Sequence, residues 1–373
     1  MRYTLLLLFL LPFAAFAQTV TGSLNFDNTD RNYRLFVPSD YDPNGEPLPL
    51  VFNLHGFTSN ALAQEVYSNM SPVADTAGFL VCYPNGVASQ WNVGWSFNLP
   101  TDDVGFIDTL IDHIAADYNV DLNRVYSCGM SNGGYMSYRL ACELSDRIAA
   151  VASVTGSMAP GDPYPCDPPR TVPVMQVHGT DDGTVPYNGD PNIAVPIEEV
   201  LDFWLDKNDC PATADTTAVP DLDPNDGTTS QRIEWTGCAD DTDVLFFKVE
   251  NGGHTWPGSP INIGVTSQDF DASTEIWAFF NRYSLDGVIS STRPAVETPT
   301  WSLLPNPATE VLFIRDLRQA ATAELYDARG LLQRTFIAEP NAGLSVAELP
   351  AGWYFVRVRT ENGAWSTQRF LKQ

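Results

Sequence analysis

The sequence predicts an α/β fold, with a mainly parallel sheet covered by helices and a small β-sandwich behind it. Three observations carry this. Short apolar runs alternate with helix-length segments from about residue 50 to residue 283. Near the middle, Gly129-Met130-Ser131-Asn132-Gly133 lies where a strand hands over to a helix. Beyond residue 284 the helical pattern stops and short alternating segments separated by turns take over.

The chain begins Met1-Arg2, then runs apolar from Leu5 to Phe16, with small residues around Ala15-Phe16-Ala17 before Gln18. Residues 1–17 read as a secretory signal cleaved after Ala17, too short to span a bilayer. No later stretch is apolar for long enough to cross a membrane, so no membrane span is expected. Residues 22–37 read as a hairpin. Strands are expected at Leu50–Leu54, Phe79–Tyr83, Arg124–Cys128, Val172–Val177 and Val244–Val249. Most are near-continuous apolar runs, as strands buried on both faces require. Helices are expected at Asp103–Tyr118, Gly133–Cys142, Ile197–Lys207 and Ala272–Tyr283. Strand and helix in alternation imply a parallel sheet, giving one catalytic-sized domain over residues 18–283. Residues 284–300, with Gly287, Pro294 and Pro299, read as a linker. Residues 301–373 contain strand-like Val311–Ile314, Ala323–Tyr326, Trp353–Val358 and Thr367–Leu371, with a turn at Asp327-Ala328-Arg329-Gly330. They hold neither cysteine nor histidine, so chemistry is not expected there.

A formal charge of −26 argues against a nucleic-acid partner, which needs a basic face. Six cysteines in an exported chain can pair. Cys142–Cys166 and Cys210–Cys238 are expected to be bridged. Cys82 and Cys128 lie on strands of one sheet, and with another strand between them they would be about 9–10 Å apart. They are read as buried free thiols.

A serine on a tight strand-to-helix turn occupies a strained backbone and projects its hydroxyl, while flanking glycines allow close approach. Such a nucleophile needs a base, and the chain offers four histidines. His113 falls off the stripe Ile107, Leu110, Ile111 and Ile114 and is expected to face solvent. His55, in Leu54-His55-Gly56-Phe57, suits an oxyanion loop. His178 is expected to be structural beside the acid. His254 remains, in a glycine-rich loop after the last strand, and is the base. The acid should fall between nucleophile and base in chain order. Asp181 and Asp182 stand together at a strand end, with Asp182 favoured. The oxyanion needs two backbone N–H donors. Asn132 follows the nucleophile and supplies one, and Phe57 is the candidate for the other.

Taken together, these stretches resemble the secreted polyhydroxybutyrate depolymerase and feruloyl esterase group of α/β-hydrolases, with acetyl xylan esterases as relatives. The matching pieces are Leu54-His55-Gly56, Asp102 to Phe106, Gly129 to Gly134, Arg139 to Glu143, His178-Gly179-Thr180 with Asp182 and Val185-Pro186-Tyr187, and Gly253 to Gly258. They run in family order over residues 22–283. The resemblance implies a triad of Ser131, His254 and Asp182, a carboxylic ester substrate and no cofactor. The tail resembles the sorting domain of the type IX secretion system through Leu304-Pro305-Asn306-Pro307, Leu325-Tyr326-Asp327, Leu349 to Tyr354 and Arg369 to Lys372. That implies export through the periplasm of a Gram-negative bacterium to a secreted or cell-surface location, with the secretion machinery as partner of residues 301–373. A carbohydrate-binding sandwich carrying Trp353 and Trp365 is the competing reading of the tail.

Trp91, Trp95 and Trp256 are candidates to line an acyl or phenolic pocket. Asp221 to Gly227 looks like a calcium loop. Its glycine falls one place late and no glutamate stands at the last ligand position, so it is read as an acidic turn and no metal is expected. The expected function is a secreted serine esterase acting on feruloyl or acetyl esters of plant polysaccharide or on polyhydroxyalkanoate. A serine peptidase on the same fold and a non-catalytic surface glycan-binding protein are the alternatives.

Overall fold

The main sheet has the order β1-β2-β4-β3-β5-β6-β7-β10-β9-β8. Its strands are β1 (Gln18–Phe26), β2 (Thr29–Val37), β3 (Leu48–Leu54), β4 (Leu80–Pro84), β5 (Val120–Met130), β6 (Ala150–Val154), β7 (Val174–Gly179), β8 (Asp215–Ala218), β9 (Thr229–Trp235) and β10 (Val244–Glu250). From β4 to β10 the pairings are parallel, and antiparallel strands close both ends. The coordinates are a computed structural model that describes residues 17–161, 166–289, 301–317, 319–327, 332–340, 342–359 and 365–372. They fall into two compact units, one over residues 17–289 and one over 301–372.

Six helices cover the sheet: α1 (Ala61–Ser68), α2 (Met70–Ala77), α3 (Asp103–Asp117), α4 (Asn132–Glu143), α5 (Ile197–Lys207) and α6 (Ala272–Phe280). Strand side chains alternate between faces, so β3 sends Leu50, Phe52 and Leu54 into one core and Val51 into the other. The first core takes α3, α4 and α5 through Phe106, Leu110, Met136 and Trp204. The second takes α2 and α6 through Met70, Ala74, Ile276 and Phe280. Side-chain caps fix where helices start: Asn60 accepts from Ala63 N, Asp102 from Gly105 N and Asp271 from Thr274 N. No helix among the described residues is long and apolar enough to cross a membrane.

The expected strands and helices of this unit form, and the sheet holds more besides. β6 is central, and Ala150-Val151-Ala152-Ser153-Val154 was not foreseen as a strand. α1 and α2 are short helices, too brief to show a period. His113 does not stand free in solvent. It is half-buried on α3, edge-on to Tyr33 at 5.9 Å. Part of the expected linker belongs to the first unit: β11 (Tyr283–Ser284) pairs antiparallel with β12 (Gly287–Val288), and Leu285 N donates to Asn123 O. Residues 290–300 of the expected linker and residues 1–16 of the expected signal, 1–17, lie outside the described residues.

Two disulfides join Cys142 to Cys166 and Cys210 to Cys238. Cys82 and Cys128 are free and buried. They sit on β4 and β5 with β3 between, and on opposite faces of the sheet. Burial pushes both thiols well above their usual pKa. Asp221–Gly227 forms a turn closed by its own acids. Asp226 accepts from Thr228 N and Gln268 N, and Asp269 accepts from Leu222 N. Among the described residues no group of three or more histidines, cysteines or acids converges as a metal site would.

The strand ladders of the second unit are antiparallel, with an isolated parallel bridge from Ala308 to Lys372. One sheet has β13 (Ser302–Leu304), β14 (Val311–Arg315) and β17 (Gly343–Ser345). The other has β15 (Ala321–Asp327), β16 (Leu332–Ala338), β18 (Gly352–Arg359) and β19 (Trp365–Lys372). Leu303, Leu312, Leu325, Val356 and Phe370 fill one core between them. The turn at 328–330 and the side chains of Trp353 and Trp365 lie outside the described residues.

Candidate active site

Ser131 sits between β5 and α4 with φ 54° and ψ −123°, a conformation a non-glycine residue holds only at a cost of about 1–3 kcal/mol. The fold over-determines it. Ser131 N donates to Val154 O on the neighbouring strand β6, and Ser131 O accepts from Gly134 N and Tyr135 N. Glycine is required on both sides. A Cβ on Gly133 would lie 2.1 Å from Leu54 O, and one on Gly129 would lie 2.5 Å from the Gly133 carbonyl carbon. Ser131 is buried, with 8% of its surface exposed.

β5, β7 and β10 run parallel in the order β5-β6-β7-β10, so their C-terminal ends share one edge of the sheet. Ser131 leaves β5, Asp182 follows β7 and His254 follows β10, and all three therefore open on that edge. His254 Nδ1 lies 2.7 Å from Asp182 Oδ2. In the tautomer that donates Nδ1–H to this carboxylate oxygen, the lone pair lies on Nε2, which has no protein partner among the described residues. The other carboxylate oxygen accepts from Thr184 N and Val185 N, both at 2.8 Å. Asp182 is buried, whereas Asp181 beside it is exposed.

The remaining histidines near the edge have both nitrogens engaged. His55 Nδ1 donates to Gly56 O, and Nε2 accepts from Gly86 N. His178 Nε2 donates to Val185 O, and Nδ1 accepts from Gln176 Nε2. Burial is the main cause holding both below the usual histidine value. His178 also stands 3.5 Å from Asp182 Oδ2, behind the acid.

Phe57 comes at the end of β3 on the other side of Ser131. A Cβ on Gly56 would lie 3.4 Å from Ser131 Cβ, which puts this loop against Ser131. Among the described residues, neither Phe57 N nor Asn132 N donates to another protein group. The Asn132 side chain has a job the sequence did not reveal. It forks onto the backbone of one residue, with Oδ1 accepting from Trp91 N at 2.7 Å and Nδ2 donating to Trp91 O at 3.1 Å. The only advance signal was an amide side chain next to a nucleophile.

The three tryptophans separate. Trp256 is fully buried in the second core, with Nε1 donating to Ser273 Oγ. Trp91 is fully buried under the loop, with Nε1 donating to His55 O. Neither presents a wall to a ligand, which corrects their expected pocket role. Full burial with a bonded indole N–H is scaffold geometry. Trp95 lies near the surface at 9% exposure, stacked on Phe97 at 5.2 Å and edge-on to Phe57 at 6.3 Å. Phe97, two residues from Trp95, was not singled out from the sequence.

Residues 32–162 match the family described as "Esterase PHB depolymerase", and residues 302–373 match the "Secretion system C-terminal sorting domain". The chain is similar to feruloyl esterase C of Emericella nidulans, 30% identical over 271 residues that cover 70% of this chain and 87% of the relative. It is 28% identical over 278 residues to feruloyl esterase D of Neurospora crassa, covering 72% and 86%. A bifunctional acetylxylan esterase/xylanase of Neocallimastix patriciarum is 28% identical over 277 residues, 74% of this chain but only 36% of that protein. The chain thus spans about a third of that relative's length. The solved structure of an acetyl xylan esterase from Aspergillus awamori superimposes with a TM-score of 0.51 at 16% identity, covering 70% of this chain and 98% of the other. This last likeness shows the fold.

Proposed function

From a chain that belongs to the esterase family of feruloyl esterases and polyhydroxybutyrate depolymerases, and is thereby a secreted or cell-surface carboxylic ester hydrolase, we infer a serine mechanism run by Ser131, His254 and Asp182. The observation that carries it is the His254 Nδ1 to Asp182 Oδ2 contact at 2.7 Å, on the same sheet edge as the strained Ser131. The free Nε2 of His254 takes the Ser131 proton as Oγ attacks the ester carbonyl carbon. The oxyanion rests on Phe57 N and Asn132 N, which have no other protein partner among the described residues. The carbon–oxygen bond to the alcohol breaks, and the alkoxide takes its proton from Nε2. Water, deprotonated by His254, then splits the acyl-enzyme into carboxylic acid and free serine. Asp182 holds the imidazole tautomer throughout and stabilises its charged form.

The substrates are feruloyl or acetyl esters of plant polysaccharide, or a polyhydroxyalkanoate. Residues 301–373 address the protein to the type IX machinery and are then removed or exchanged for a surface anchor. The test is hydrolysis of p-nitrophenyl acetate, p-nitrophenyl butyrate, methyl ferulate and emulsified polyhydroxybutyrate by mature protein and by Ser131→Ala. Activity should fall by about 10³-fold or more in the variant. Equal activity in both would remove Ser131 from the mechanism.

A further inference from the structure

The side chains of Phe57, Trp95 and Phe97 stand together and take no part in the mechanism above: Phe57 follows Gly56, which lies against Ser131, and Trp95 packs on Tyr135, four residues after Ser131. Phe57 and Phe97 are edge-on at 6.1 Å, Trp95 stacks on Phe97 at 5.2 Å, and Trp95 is backed edge-on by Tyr135 at 4.9 Å. Phe57 is 43% exposed and Phe97 is 54% exposed. Single exposed apolar side chains are ordinary, but clustered open rings at a reaction centre mark a binding surface.

We propose that Phe57, Trp95 and Phe97 form the acyl subsite, an open aromatic shelf that takes a flat, conjugated aryl acyl group, with Phe97 as the residue that sets this preference. The proposal rests on the serine-esterase reading and deepens it. The sheet order gives the direction. The leaving alcohol must lie within reach of His254, which follows β10 on one side of β5. The acyl chain then extends from the carbonyl carbon to the other side, towards β3, where Phe57 emerges. A planar acyl group laid there meets aromatic faces and edges at stacking distance, and a short aliphatic acyl group meets little.

The loop that carries the shelf is held as a binding element should be. Asn98 Oδ1 accepts from Val93 N and Trp95 N, Asp103 Oδ2 accepts from Asn92 N, and Trp95 Nε1 donates to Ile193 O. Asp103 is itself paired with the buried Arg31 at 2.7 Å. The Asn132 fork onto Trp91 ties the loop to the nucleophile's own turn. The rings are thus presented without the ordering cost that a mobile loop would bring to binding.

The experiment measures kcat/KM for methyl ferulate and for p-nitrophenyl acetate in the parent, in Phe97→Ala and Phe97→Leu, and in Phe97→Tyr. Thermal unfolding is recorded for each. The ferulate-to-acetate ratio should fall about tenfold in the first two variants, mainly through KM, and stay near the parent value in Phe97→Tyr, which keeps a ring. Phe97→Leu keeps bulk without aromaticity and covers the case in which the alanine variant folds poorly. An unmoved ratio in variants that still hydrolyse acetate overturns the shelf and leaves the serine mechanism standing. A parent that degrades emulsified polyhydroxybutyrate but not methyl ferulate also overturns it, in favour of an aliphatic polyester. A parent inactive on every ester removes the mechanism and the shelf together.

Discussion

The two sides of Ser131 are built in opposite ways. On the β6–β10 side the groups behind His254 are buried and bonded: Asp182 accepts from two backbone amides and faces His254, and His178 stands behind it with both nitrogens used. On the β3 side the scaffold is as well bonded, but it ends in open rings, Phe57 and Phe97. The difference separates rate from choice. A group that moves a proton must have its tautomer and position fixed, and buried hydrogen bonds do that. A group that selects a substrate must meet it, and so must stay uncovered.

If the division is right, changes on the buried side lower turnover for every ester alike. Asp182→Asn can donate where it must accept, so it reverses the His254 tautomer and should cost about 10³-fold or more in kcat on all panel esters. A loss confined to one ester would break the division. Asn132→Ala crosses it, because that side chain joins the nucleophile's turn to the shelf loop. It leaves Trp91 N and O unpaired in a buried place, a cost of about 2 kcal/mol in unfolding free energy. It should also weaken methyl ferulate more than acetate, since the rings lose their anchor. Equal losses on both esters would show that the fork serves the turn alone.

The smallest effect expected is one of acid stability. His55 and His178 are held neutral by burial, below the ordinary value of 6.5. The unfolded chain takes up those protons as pH falls through that value, and the folded chain resists until lower pH. Stability from the neutral imidazoles is therefore complete above the ordinary value and is lost as pH falls towards the folded ones. The melting temperature should be lower at about pH 5.5 than at about pH 7. His178→Gln should flatten that slope, and an unchanged slope would count against a neutral His178.

Much of the backbone around the candidate site was legible in the sequence, because tight backbone geometry leaves marks there. Gly129 and Gly133 are there because any side chain would strike Leu54 or the turn itself. His254 was reached because so few histidines compete. What stayed hidden depends on three-dimensional neighbours. β6 mixes Val151 and Val154 with Ala150, Ala152 and Ser153, and the three small residues dilute its strand signature. Trp91, Trp95 and Trp256 look alike in sequence, yet two are covered by the layers above them and only Trp95 reaches the edge. His113 lies off the apolar stripe of α3, but β2 brings Tyr33 over it. The 284–289 hairpin has a linker's composition and is held by Asn123, far away in the chain.

The central claim is that the ester's acyl group is carried on Ser131. The most direct measurement is to mix the enzyme with p-nitrophenyl acetate, quench with acid within the first turnovers and map the added acetyl by peptide mass spectrometry. One acetyl group is expected on the peptide that contains Ser131, and none there in His254→Ala. Acetyl on another residue, or ester turnover with no covalent species, would contradict it.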